Sequence, residues 1–416
     1  MRKFNQYLLP SCLVMPMILH WILPAGIETK LYRHLFGITF FIPDFLYTLY
    51  LFLYNPKKQE NYQYLNPKRR KILLGFAFII IELTLLITTL KGITYSFDLL
   101  INNLSFIWLS LLFLLFPLSP NQIQLTKPFF VTALCILIAE VIIYSLGIMT
   151  YKTAAGAALK GQDYDGIMRI STTIGAATGT AVIIGLLGAV VLCTYQWSSK
   201  SKIIWIIAIS IGVYFTMTRG TSLIWTLFII YYFYINFLKG VNKTTKLRYI
   251  SIGIILVLLF YSAGGMDPIL NRVDHMEKSG DAGSGRESKW IKSMKMIEES
   301  APWGYGLGQV QPEKAIEMQY KTPHHFAPHN VYTLISIELG YWGIIIFILF
   351  IFFIMSGTYY KSSLAVYLWL LWLINSNTES FILESESMAL IMFAVMTITR
   401  FIYNKHEYYK NPMLSI

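Results

Sequence analysis

The sequence predicts an all-α polytopic membrane protein of about twelve transmembrane helices, with one long extramembrane loop before the tenth. Three observations predict it. Hydrophobic residues make up 55% of the 416 and mean hydropathy is +0.54. Charged residues fall to 13%, against about 25% in an ordinary soluble domain. Apolar windows recur along the whole chain, and at about 20 residues per span twelve of them fill more than half of it. A soluble globular enzyme, a disordered chain and a fibrous one are excluded by the same figures.

The windows fall at about 7–23, 36–54, 72–90, 98–117, 129–149, 171–194, 203–217, 221–238, 249–263, 329–355, 362–374 and 386–402. The eleventh is short. Arg2 and Lys3 before an apolar run look like the start of a signal peptide, but no small-x-small cleavage site follows and the next hydrophobic run comes at once. The first run is therefore read as a span. Residues 1–150 are expected to hold helices 1–5. Residues 151–416 hold helices 6–12 and the long loop 264–328, the only stretch large enough for a small extramembrane unit.

Net charge is +12. In a soluble chain this would suggest nucleic acid; here no nucleic-acid partner is expected, and cytoplasmic loops account for the excess. With the N-terminus inside, the inner segments hold Arg2, Lys3, Lys57, Lys58, Lys68, Arg69, Arg70, Lys71, Lys127, Lys200, Lys202, Lys239, Lys243, Lys246, Arg248, Lys361, Arg400, Lys405 and Lys410. The short outer segments hold only Lys30, Arg33, Lys91, Lys152, Lys160, Arg169 and Arg219. Both termini are thus expected in the cytoplasm and the long loop outside. Cys12, Cys135 and Cys193 lie in apolar runs and form neither a disulfide framework nor a C-x-x-C pattern. No internal repeat is evident.

This topology puts Arg169, Arg219, Arg286 and His329 on one outer face. Arg219 sits in a loop almost without length, Met217-Thr218-Arg219-Gly220, between two apolar helices. An arginine at a helix centre costs about 2.5–3.5 kcal/mol on insertion scales, less near the interface. It reads either as a snorkelling end-of-helix side chain or as an anion clamp facing a cavity. Arg286 stands among glycines in Gly283-Ser284-Gly285-Arg286, ahead of an amphipathic helix from Glu287 to Ser300, and its guanidinium suits phosphate bidentately. Arg169 precedes the small-residue run Ser171–Gly179, which either lets helices pack closely or brings Arg169 to phosphate or sugar.

His329 follows Pro328, which is expected to open a helix, so His329 should lie in the first turn. The positive end of the helix dipole would keep the imidazole neutral and able to accept a proton. His324, His325 and His329 fit no standard zinc spacing, so no metal is expected. Gly304-Tyr305-Gly306-Leu307-Gly308 reads as a plain turn, being neither a Walker A nor a dinucleotide fingerprint. Glu338, Glu82 and Glu140 lie inside spans, where a carboxylate is expected to pair or line a cavity.

Taken in order, Arg169-Ile170-Ser171, Thr218-Arg219, Gly285-Arg286, the Pro302-x-Gly304-x-Gly306 turn, His329-Asn330 and Glu338-Leu339-Gly340-Tyr341-Trp342-Gly343 resemble the O-antigen ligase family of bacterial inner membranes, and the related polysaccharide polymerases. The resemblance is best over about 165–345. It implies a metal-independent inverting glycosyltransferase, with no cofactor, whose long loop before the tenth helix is periplasmic. The implied donor is an undecaprenyl-diphosphate-linked glycan and the implied acceptor is lipid A–core, both held in membrane lipid. Carried over, His329 is the general base, Arg219 and Arg286 bind the diphosphate, and Arg169, Asn330 and Glu338 contact substrate. The short 150–170 loop favours a ligase over a polymerase. A transporter or lipid-linked glycan flippase is the rival class, against which stands the lack of paired broken helices.

Overall fold

The computed structural model describes residues 67–91, 120–146, parts of 151–172, 177–239, 286–306, 328, 330–356 and 363–375, with isolated positions between 242 and 251. Within them the helical class holds. The helices are α1 (Pro67–Lys91), α2 (Pro120–Ser145), α3 (Ala177–Thr194), α4 (Ser199–Phe215), α5 (Arg219–Phe233), α6 (Arg286–Ser300), α7 (Val331–Ser356) and α8 (Ser363–Leu370). The chain after α5 continues as a π turn, Tyr234–Leu238, and that after α8 as another, Leu371–Asn375. The short loop before α3 adds two small antiparallel hairpins: β1 (Tyr151–Lys152) with β2 (Ala158–Leu159), and β3 (Gln162–Tyr164) with β4 (Ile167–Arg169).

Among the described residues four helices are long and apolar enough to cross a membrane: Lys127–Ser145, Ala177–Thr194, Arg219–Leu238 and Val331–Phe352. Leu74–Ile87 and Ser363–Ile374 are shorter apolar helices. These agree with windows three, five, six, eight, ten and eleven, and α4 lies on the seventh. The first, second, fourth and twelfth windows, and the ninth apart from Ser251, lie outside the described residues.

α3 is the centre. It is buried from Ala177 to Leu192 with the single exception of Thr178, and α2, α4, α5 and α8 all pack on it. Its glycines are where neighbours come closest. A Cβ on Gly188 would lie 2.6 Å from Ile209 Cγ2 of α4, and one on Gly185 would meet the Tyr367 hydroxyl of α8. From α4, a Cβ on Gly212 would lie 3.1 Å from Ile184. Small residues in this helix therefore serve close packing, as they do between helices in lipid, where dispersion contacts replace the hydrophobic drive.

Outward-facing apolar rows run down the other helices: Ile203, Ile204 and Ile207 on α4, Leu223, Leu227 and Ile230 on α5, and Ile345, Ile348, Leu349 and Phe352 on α7. Such contiguous exposed surface is what a bilayer covers. At one end of the bundle Lys127 stacks over the Trp197 ring at 4.2 Å, and Lys202 donates to Asn236 Oδ1 at 3.2 Å. Arg219 lies at the other end, because α4 and α5 form a tight antiparallel hairpin. Of the carboxylates, Glu82 is exposed on α1 and Glu140 of α2 is half-buried.

Candidate functional site

The Arg219 hairpin is built from threonines. Thr216 and Thr218 are buried, and Met217 between them has φ 53°, the left-handed region that a side-chain-bearing residue rarely takes. Holding a non-glycine residue there costs about 1–2 kcal/mol. The surrounding bonds impose it. Thr216 Oγ1 donates to Val213 O at 2.6 Å, and Met217 N donates to Tyr214 O at 2.9 Å. Thr218 Oγ1 donates to Ala177 O at 3.3 Å, at the first residue of α3.

Thr218 stands at the N-cap position of α5, yet its hydroxyl makes no cap bond to the helix. The dipole of α5 is therefore uncapped by its own threonine just where Arg219, exposed, begins the helix. A cation at this end opposes the dipole, so local helix preference does not explain it. An anion beside it would meet both the guanidinium and the positive helix terminus.

Arg169 ends β4, opposite Gln162 in register. Three residues on, Thr172 N and Oγ1 both bond to Thr180 Oγ1 of α3, at 3.2 and 2.9 Å. The backbone that carries Arg169 and the turn that carries Arg219 are thus tied to the same first turn of α3, one through Thr180 and the other through Ala177.

Arg286 is the first residue of α6. This helix lies along the first two turns of α7, where Ile297 packs against Leu334 and Ile337. α7 begins at Val331, two residues later than the sequence suggests. Asn330 caps it, with Oδ1 accepting from Thr333 N at 3.0 Å, so Pro328 precedes the helix and does not open it. His329 lies outside the described residues, as do His324 and His325. Asn330 thus has a structural duty for its amide oxygen, a role the Pro-based reading of the helix start missed.

α7 is broken at Gly340 (φ 67°, ψ −166°), a conformation essentially confined to glycine. The segment Pro302–Gly306 docks into the break. Tyr305 N donates to Ile337 O at 2.9 Å, Gly306 N to Glu338 O at 2.8 Å, and Tyr341 N to Pro302 O at 3.1 Å. Backbone groups freed by a break in an apolar helix need such partners. Gly304 N donates in turn to Ser300 O at the end of α6, at 2.9 Å. The N–H groups of Gly304, Tyr305 and Gly306 are all committed within the protein, which makes this a docking turn and not a phosphate cradle. Glu338 is buried at the break, with its carbonyl held by the turn.

The tail of α8 connects these parts. Tyr332 OH, in the first turn of α7, donates to Trp372 O at 3.2 Å, and the Leu371–Asn375 turn packs on α5.

Residues 203–348, about a third of the chain, match the family model described as O-antigen ligase. No curated protein matches the chain. With its bilayer-length apolar helices the protein is a membrane protein. Arg169 lies outside the matched segment. Residues 203–348, which carry Arg219, Arg286, His329, Asn330 and Glu338, are similar to the O-antigen ligase family.

Proposed function

We propose that this protein is an O-antigen ligase of lipopolysaccharide biosynthesis. It transfers a glycan from undecaprenyl diphosphate to a sugar hydroxyl of lipid A–core at the periplasmic face of the bacterial inner membrane, with both termini cytoplasmic. The observation that carries this reading is the similarity to the O-antigen ligase family over 203–348, a segment that includes Arg219, Arg286 and His329.

The donor's diphosphate is already a leaving group. The protein has to hold that diphosphate, neutralise its charge and take one proton from the acceptor. In this reading Arg219 and Arg286 bind the diphosphate, with the start of α5 adding its dipole. The acceptor oxygen attacks the anomeric carbon while its proton passes to the His329 imidazole. The bond from that carbon to the diphosphate oxygen breaks, and the electron pair leaves with undecaprenyl diphosphate. Configuration inverts, and no nucleotide or metal enters the step. Arg169, Asn330 and Glu338 position the two substrates.

A deletion strain tests the assignment. Loss of long surface glycan with lipid-linked polymer accumulating is the expected result. Single repeats left on the core would identify a polymerase instead. Purified protein in detergent should join glycan to lipid A–core without an energy source, which a flippase cannot do.

A further inference from the structure

The helix that starts at Arg286 buries one face and leaves a second apolar face open. Ser293, Ile297 and Ser300 are buried, with Ile297 against α7. Trp290, Ile291 and Met294 are 49%, 66% and 57% exposed. At about 100° per residue these three fall within roughly 100° of arc, next to the buried one, with the exposed Glu298 at the C-terminal end of the same arc. Lys292, Lys295 and Glu299 occupy the remaining side, with Lys295 Nζ 3.9 Å from Glu299.

The location of this face indicates what covers it. α6 is fixed to the first two turns of a membrane-length helix, so it sits at the depth of that helix's end. Its C-terminal end leads directly into Trp303, also exposed, and Pro302 O accepts from Tyr341 N. Tyr341 and Trp342 are exposed in turn and head the outward row Ile345, Ile348, Leu349 and Phe352. The lipid-facing surface of α7 therefore continues through Tyr341 and Trp342 to Trp303 and the end of α6. Aromatic residues with a polar edge are the ones that settle at headgroup level, and apolar residues next to lysines suit an anionic phospholipid surface.

We propose that α6 is a membrane-interface helix: Trp290, Ile291, Met294 and Trp303 seat among the phospholipid headgroups, continuous with the Tyr341–Trp342 band. This holds the segment that begins at Arg286 at headgroup height, the level of a lipid-linked diphosphate. That last consequence rests on the transferase reading; the lipid contact itself does not.

The test uses the full chain, with Cys12, Cys135 and Cys193 replaced, in nanodiscs of phosphatidylethanolamine and phosphatidylglycerol. An environment-sensitive fluorophore is attached to Ile291→Cys, Met294→Cys or, on the opposite arc, Lys292→Cys. Blue-shifted emission at 291 and 294, quenched at least about twofold more by headgroup-proximal spin-labelled lipid than at 292, is expected. Water-like spectra at 291 and 294 overturn the proposal. So does blue-shifted emission that lipid quenchers leave untouched, which would mean a protein covers the face. If the cysteine-free chain does not fold, brominated phospholipid quenching of the native tryptophans decides. The quenched fraction must drop in Trp290→Phe/Trp303→Phe, and an unchanged fraction refutes lipid contact. Glycan transfer plays no part in either readout, so a failed transferase reading leaves this result standing and the reverse also holds.

Discussion

Gly304 and Gly340 meet backbone to backbone where the Pro302–Gly306 segment enters the break in α7. A Cβ built on Gly304 would lie 2.6 Å from Gly340 N, and one on Gly340 would lie 2.6 Å from the Pro302 carbonyl carbon. Both have positive φ, 80° and 67°. The contact locks α6, the 302–306 turn and the two halves of α7 into one unit.

Alanine at either position is expected to destabilise the protein by more than about 2 kcal/mol, from strain and lost backbone bonds together. Gly75 supplies the opposite sign. It sits inside α1 with nothing within 4 Å of a built Cβ, so Gly75→Ala should be neutral or raise stability by up to about 1 kcal/mol. Thermal unfolding of the detergent-solubilised chain measures all three. Equal melting temperatures for Gly340→Ala and Gly75→Ala would show that the docking turn contributes nothing.

Gly185 and Tyr367 make a second pair with a coupled outcome. The Tyr367 hydroxyl is buried without a hydrogen-bond partner and occupies the place of a Gly185 side chain. Tyr367→Phe removes an unsatisfied polar group, so it is expected to be neutral or stabilising by about 1 kcal/mol. Gly185→Ala should be costly with tyrosine present and much less so with phenylalanine. A double-mutant cycle in thermal unfolding reads the coupling, and additive effects would contradict the packing described.

Arg219 depends on Thr218. Arg219→Ala is expected to lower glycan transfer by about 10²–10³-fold, the loss typical of removing a preorganised charge-stabilising donor. Arg219→Lys keeps the charge without the fork and should fall between. Thr218→Val removes the bond to Ala177 O and should cost roughly tenfold or more in transfer by misplacing the arginine. Thr218→Ser, which keeps the hydroxyl, should recover most of it. Full activity in Arg219→Ala at normal expression would reduce that residue to a snorkelling helix end.

His329 as general base predicts a different pattern. His329→Ala should lower transfer by about 10²–10⁴-fold while leaving binding of the lipid-linked donor nearly unchanged. The native rate should fall as falling pH protonates the imidazole, because the imidazolium cannot accept a proton. A detergent assay across pH, with and without chelator, checks this. Loss of activity with chelator, restored by zinc, would make His324, His325 and His329 a metal site.

The helical membrane class, the described spans to within several residues, and the resemblance that the match over 203–348 supports were all legible in the sequence. Each rests on local information: apolar length, charge excluded from apolar runs, and residue type along the chain. The threonine tie between the Arg169 backbone and the Arg219 turn was not legible, because Thr172, Thr180, Ala177 and Thr218 meet only when β4, α3 and α5 are packed. Pro328 suggested the first helical position, but the helix starts three residues later at Val331, where Asn330 caps it. Nor could Pro302-x-Gly304-x-Gly306 reveal its partner. Its glycines signal a tight turn in any context, and only the tertiary structure brings Gly340 against them, since two backbones approach this closely only where neither carries a Cβ.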